Sequence, residues 1–176
     1  MKTWRTPKAF SLVEVIIAVG VFAAGVGAVV MLLSSLTRAA SESVEHHTAQ
    51  QLTDALRIEL TRVAGVEGFD SLAGSLPEIG APLPAGRQFV ATRDGLVLHS
   101  VDQLPSQGRI ADSEQFFLIE CWKYSTEPLR PIGTKAFLAT YVRVSWPYRS
   151  GTPAGGSAIV PEGSRSQLTF NCAINR

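Results

Sequence analysis

A chain of 176 residues, 45% of them apolar, is long enough for one modest domain with a core of its own. Its formal charge of +1 leaves no polybasic surface, and without residues 1–9 the balance is 13 basic against 15 acidic side chains, so nothing points to nucleic acid. The apolar residues are unevenly spread, and that decides the reading of the N-terminus.

Lys2, Arg5 and Lys8 open the chain with no acid among them. From Phe10 to Leu33 only Ser11 and Glu14 are polar, and residues 15–33 carry no charge. At 1.5 Å per residue such a helix rises roughly 36 Å, against about 30 Å of bilayer hydrocarbon. The basic start keeps the first residues cytoplasmic and sends everything after Leu33 across the membrane as an exported domain. A secretory signal peptide cut near Leu36-Thr37-Arg38-Ala39-Ala40 fits less well, because the apolar run is too long and contains an acid. A plain single-span anchor fits the length, with Ser11-Leu12-Val13-Glu14 as an S-x-x-E capping box.

The segment Lys8-Ala9-Phe10-Ser11-Leu12-Val13-Glu14-Val15-Ile16-Ile17-Ala18-Val19 resembles the type IV pilin and pseudopilin (prepilin) signature. That signature joins a short basic leader, a small residue at the cut, a Phe as the new N-terminus and a glutamate four residues on, at the head of an apolar helix. Ala9 stands where the family more often has Gly. The resemblance implies cleavage between Ala9 and Phe10 by a prepilin peptidase, which also methylates the new Phe10 amine. It further implies that Glu14 pairs with the Phe10 amine of a neighbouring pilin or pseudopilin subunit and sets the axial register of a filament. The implied partners are that peptidase/methyltransferase, sister subunits, an inner-membrane assembly platform and membrane lipid. An acid inside an apolar helix is costly unless partnered, which is why Glu14 needs such an explanation.

Beyond Leu33, apolar or small residues recur at Leu36, Ala40, Val44, Ala49, Leu52, Leu56, Leu60 and Val63, mostly three or four apart, and Gly65 and Gly68 supply a stop. The pattern predicts one helix from about Phe10 to Ala64, membrane-spanning over 10–33 and amphipathic over 34–64. Gly20, Ala24 and Ala28 form a small-xxx-small row suited to close helix packing, although Gly and Ala are common in membrane helices generally. Many pilins carry a proline in this helix; here Gly25 and Gly27 are the residues left to soften it.

Residues 65–87, rich in Gly, Pro and Ser, read as a connecting loop. Strands are expected at 88–92 and 96–101 around an Asp94-Gly95 hairpin turn, then at 115–124, 136–146 and 166–174. The expected fold is α+β: a long N-terminal helix packed by its amphipathic half on a small antiparallel sheet. The domain plan is a removed leader (1–9), the two helix halves, and an exported β-rich head (65–176).

No catalytic constellation emerges. His46 and His47 are adjacent on the helix and point to different faces, His99 sits alone in a strand, and no P-loop, G-x-S-x-G or H-E-x-x-H occurs. Asp102, Asp112 and Glu114 lack a calcium-ligand spacing. No cofactor, metal or enzymatic activity is therefore expected. Cys121 and Cys172 share an inward strand phase, so they predict either two buried thiols or a disulfide that fastens the last strand. The expected function is that of a minor pilin or pseudopilin, a subunit of a type IV pilus or type II secretion pseudopilus; the alternative is a single-span anchored binding domain that never polymerises. An exported hydrolase on a tether lacks a supporting motif.

Overall fold

The computed structural model describes residues 11–83, 87–102, 108–125, 129, 137–152 and 155–175. Helix α1 runs Leu12–Glu67 without interruption, as a sequence free of proline between Pro7 and Pro77 allows. The chain divides into two compact units, Met1–Val44 and Glu45–Arg176. In the first, every described residue is exposed, from Leu12 through Phe22 and Leu33 to Val44.

In the second unit, Ala49, Leu52, Leu56 and Leu60 of α1 are at most 1% exposed and pack on a sheet. This is the expected α+β arrangement, but the buried stripe begins later than its periodicity suggested. Leu36, Ala40 and Val44 are exposed, and burial starts at Thr48 and Ala49. The period sets which face of a helix is apolar, whereas burial also needs an opposing surface, and the sheet offers one only from Glu45 onward.

The sheet has the order β2-β1-β3-β4-β7, with all neighbours antiparallel: β1 Gln88–Ala91, β2 Leu98–Ser100, β3 Phe117–Lys123, β4 Phe137–Trp146 and β7 Ser166–Asn175. Alternation sends Phe89, Phe117, Ile119, Val142 and Ile174 to the helix-facing side, where all are at most 1% exposed. The turn between β1 and β2 is built as Asp-Gly chemistry demands. Gly95 has φ +71°, the Thr92 hydroxyl donates to Asp94 Oδ1 at 2.5 Å, and the Leu96 N–H reaches the same oxygen at 3.1 Å. A Cβ at position 95 would lie 2.9 Å from the Thr48 methyl group on α1, so this turn also needs glycine to seat on the helix.

Two regions differ from expectation. Within 65–87, a short helix α2 (Phe69–Ser75) follows Gly68, whose φ of +92° allows α1 to end, and it buries Leu72. Helix α2 and the chain after it are tied to β3: Lys123 Nζ donates to Ala73 O of α2 at 3.2 Å, the Lys123 N–H to Pro77 O at 2.8 Å, and the Trp122 indole N–H to Ala81 O at 2.9 Å. A second, two-stranded hairpin pairs β5 Arg149–Gly151 with β6 Ser157–Ile159.

Candidate functional site

The residues singled out for assembly lie at the start of α1. Ala9 and Phe10, the expected cleavage and methylation positions, lie outside the described residues. Ser11 caps the helix: its Oγ accepts the Glu14 N–H at 3.2 Å, and its carbonyl accepts from Glu14 and Val15 at 3.1 and 3.3 Å. Only this half of the capping box is formed. The Glu14 carboxylate is exposed, and among the described residues no group pairs with it.

After Glu14 the helix presents Val15, Ile16, Ile17, Val19, Val21 and Phe22 on all sides, each at least half exposed. This helix is long and apolar enough to cross a membrane, and none of its apolar window is buried within the protein. Gly20, Ala24 and Ala28 share one face at four-residue spacing, and a Cβ on Gly20 would meet nothing within 4 Å. The structure thus brings Glu14, the apolar span and the small-residue row onto one helix, and among the described residues nothing covers them.

Cys121 and Cys172 are both buried in the cluster under α1, and both are free. The disulfide alternative is therefore not realised here. Cys121 on β3 faces Val142 and Cys172 on β7 faces Thr140, so β4 lies between them. Two strand spacings put the two backbones about 9.6 Å apart, beyond the roughly 7 Å a disulfide spans. Shared inward phase is legible in sequence; strand order, which separates the thiols, is not. Burial pushes the Cys121 thiol well above its ordinary pKa, with Cys172 and Glu120 adding to the shift. Burial also raises Cys172, opposed by the positive charge of Arg57.

Recesses in the head differ in character. A cleft of about 1020 Å³ is lined by Glu59, Arg62, Glu67, Arg87 and His99, among others. Four of its charges pair with one another, Arg62 with Glu59 at 2.6 Å and Arg87 with Glu67 at 2.7 Å, and Asp102 accepts from the Ser100 hydroxyl. His99 is buried and places Nδ1 2.7 Å from Ser100 O while Nε2 accepts the Ile110 N–H at 2.6 Å, so both ring nitrogens serve the fold. A groove of about 530 Å³ lies on the opposite sheet face beside Trp122, Tyr141 and Arg143. There Arg143 is held by Glu120 at 2.8 Å and Glu162 at 2.7 Å, with its guanidinium 5.2 Å from the Trp122 ring centre. Sequence reading missed this pair, since Glu120 and Arg143 become neighbours only through the β3–β4 register. Among the described residues no three His, Cys, Asp or Glu side chains converge as a metal site. Asp112 instead ties a short 3₁₀ turn (Asp112–Glu114) to β5 through Arg149 at 3.1 Å.

Compared with family models, with curated proteins and with solved structures, the chain has no match.

Proposed function

We propose that the chain is a minor pilin or pseudopilin: a membrane-anchored subunit that loses residues 1–9 and assembles through α1 into a type IV pilus or a type II secretion pseudopilus. One observation carries the reading, the run Lys8-Ala9-Phe10-Ser11-Leu12-Val13-Glu14 at the head of an uncharged apolar stretch. Its residue types, spacing and charge asymmetry resemble the prepilin signature together, whereas a simple anchor would use the acid at position 14 only as a helix cap.

That no group among the described residues pairs with the Glu14 carboxylate supports the reading. In a plain anchor the acid would serve as a cap, yet Ser11 caps α1 without it. A carboxylate in hydrocarbon seeks a cation, and cleavage after Ala9 creates one on Phe10 of every subunit. Pairing between subunits then satisfies both charges and fixes the step between neighbours. The exposed Gly20-Ala24-Ala28 row suits close contact with other helices, and the head supplies the surface that the assembly presents outside the membrane.

The test is the intact mass of protein extracted from membranes of the cell that makes it. The proposal requires a chain that begins at Phe10 and carries one methyl group. A chain that begins at Met1, or one cut near Ser41, contradicts it.

A further inference from the structure

The sheet face turned away from α1 has a buried row of its own. Phe89 and Ala91 of β1 lie in the cluster under α1, so Val90 between them points the other way, and the register sets His99 of β2 and Leu118 of β3 on either side of it. All three are buried, Val90 at 0%, His99 at 4% and Leu118 at 6% exposure. Ile110 and Gln115 are buried as well and belong to the stretch Gly108–Phe116, which passes over this row. The Ile110 N–H donates to His99 Nε2, Gln115 Nε2 donates to Ile110 O at 3.3 Å, and the Phe116 N–H donates to Ala91 O at 2.9 Å. The stretch is a strap, and His99 holds it from beneath.

A backbone N–H can only donate, so Nε2, 2.6 Å from the Ile110 nitrogen, must offer a lone pair, and Nδ1, 2.7 Å from Ser100 O, must carry the proton. Only the neutral ring fits. An imidazolium has an N–H at both nitrogens, so under the closed strap its Nε2 proton would face the Ile110 N–H in a buried place, leaving both donors unsatisfied. No carboxylate bonds to the ring to offset this, because backbone groups occupy both nitrogens. Strand β1 carries no charge. Beyond β2, Asp102 accepts from the Ser100 hydroxyl; on the strap Arg109 meets Asp112 at 2.8 Å, beside the exposed Glu114; and Arg149 of β5 meets the same Asp112 at 3.1 Å. On β3, one row along, Glu120 binds Arg143 at 2.8 Å, and across the cleft Glu59 pairs with Arg62 and Glu67 with Arg87.

We propose that His99 is an acid-sensitive latch: a proton taken up at Nε2 releases the Gly108–Phe116 strap and bares Val90 and Leu118 on the sheet face away from α1. The sign follows from linkage. The open form binds one proton more than the closed form, so the strap is closed at neutral pH and opens as the pH falls. The opening is local, because the cluster between α1 and the sheet lies on the other face and includes none of Val90, His99, Ile110 and Leu118. This inference goes beyond the filament reading and holds equally for a solitary anchored domain.

The test is amide hydrogen exchange of the full chain in detergent, read by mass on peptides covering Gly108–Phe116 at about pH 7.5 and about pH 5 and corrected for the pH dependence of the chemical exchange rate. The latch predicts that the opening equilibrium of the strap rises at least about tenfold at the lower pH, while peptides from β3 and from Ala49–Leu60 stay as protected as before. In His99→Gln the side-chain oxygen can accept the Ile110 N–H and takes up no proton, so the strap should stay closed at both pH values. A parent strap that does not loosen in acid, or a His99→Gln strap that loosens as the parent's does, overturns the proposal. If His99→Gln does not close the strap at either pH, long-range ¹H–¹⁵N spectra of the parent decide. They must show the Nδ1–H tautomer of His99 at neutral pH and its protonation together with loss of Ile110 protection, and a protonated ring beneath a protected Ile110 amide overturns the proposal.

Discussion

Within the single helix α1, apolar side chains meet opposite fates. Leu32 and Leu33 are at least 60% exposed, whereas Leu56 and Leu60 are 0% exposed. The same residue type on the same element is thus a core residue in one stretch and a surface residue in the other. The 49–60 stretch finds its partner in the sheet of its own chain. Among the described residues the 12–33 stretch has no such partner, and it is long and apolar enough to cross a membrane.

The comparison is broken most strongly by cutting into the buried stretch. Leu56→Ala should destabilise the head by about 2–5 kcal/mol, while Val21→Ala should leave its stability within about 0.5 kcal/mol. Urea unfolding in detergent, followed by the fluorescence of Trp122 and Trp146, measures both. Equal effects would mean that the two stretches are not different environments. Gly95→Ala comes next, at about 1–3 kcal/mol in the same assay, because it imposes a left-handed backbone on alanine and drives a methyl into Thr48.

The seal under the 49–60 stretch is read by its thiols. Cys121 stays protonated and covered, so iodoacetamide should leave it unmodified in the folded protein and alkylate both cysteines once it is unfolded, without reductant. Thiols that remain blocked until reduced would restore the disulfide. The smallest effect belongs to the boundary itself. Glu45→Gln weakens the 2.5 Å pair with Arg93, which is 62% exposed, and should cost less than about 1 kcal/mol.

How far the sequence foretold this depends on whether a feature is local. The α1 run, the Asp94-Gly95 turn and the strands around Ile119, Val142 and Phe170 are written in periodicity and turn chemistry, and they form close to where expected. The end of α1 shifted from Ala64 to Glu67, within the usual blur of helix ends. Helix α2 and the β5–β6 hairpin were not legible, because seven helical residues and three strand residues hold fewer than two periods of their patterns, too few repeats to stand out. Non-local features stayed hidden too: the exposure of Leu36 and Val44, the separation of Cys121 from Cys172 by β4, and the Glu120–Arg143 pair all depend on strand order and register. At the candidate site, sequence named Ser11 and Glu14 as a reciprocal cap, and only the Ser11 half forms. Ala9 and Phe10 rest on the sequence alone.

The account stands or falls on Glu14. Glu14→Gln keeps the shape of the side chain and its fitness for a helix N-terminus while removing the charge on which the proposed pairing with a neighbouring Phe10 amine rests. The decisive measurement is the amount of Glu14→Gln protein that co-purifies with sheared or detergent-extracted filaments, alongside its intact mass. The account predicts a chain that is inserted and cut after Ala9 as in the parent, but recovered in filaments at least about tenfold less, as loss of a buried charge partner implies. Recovery equal to the parent's would contradict it and return Glu14 to a helix-capping role.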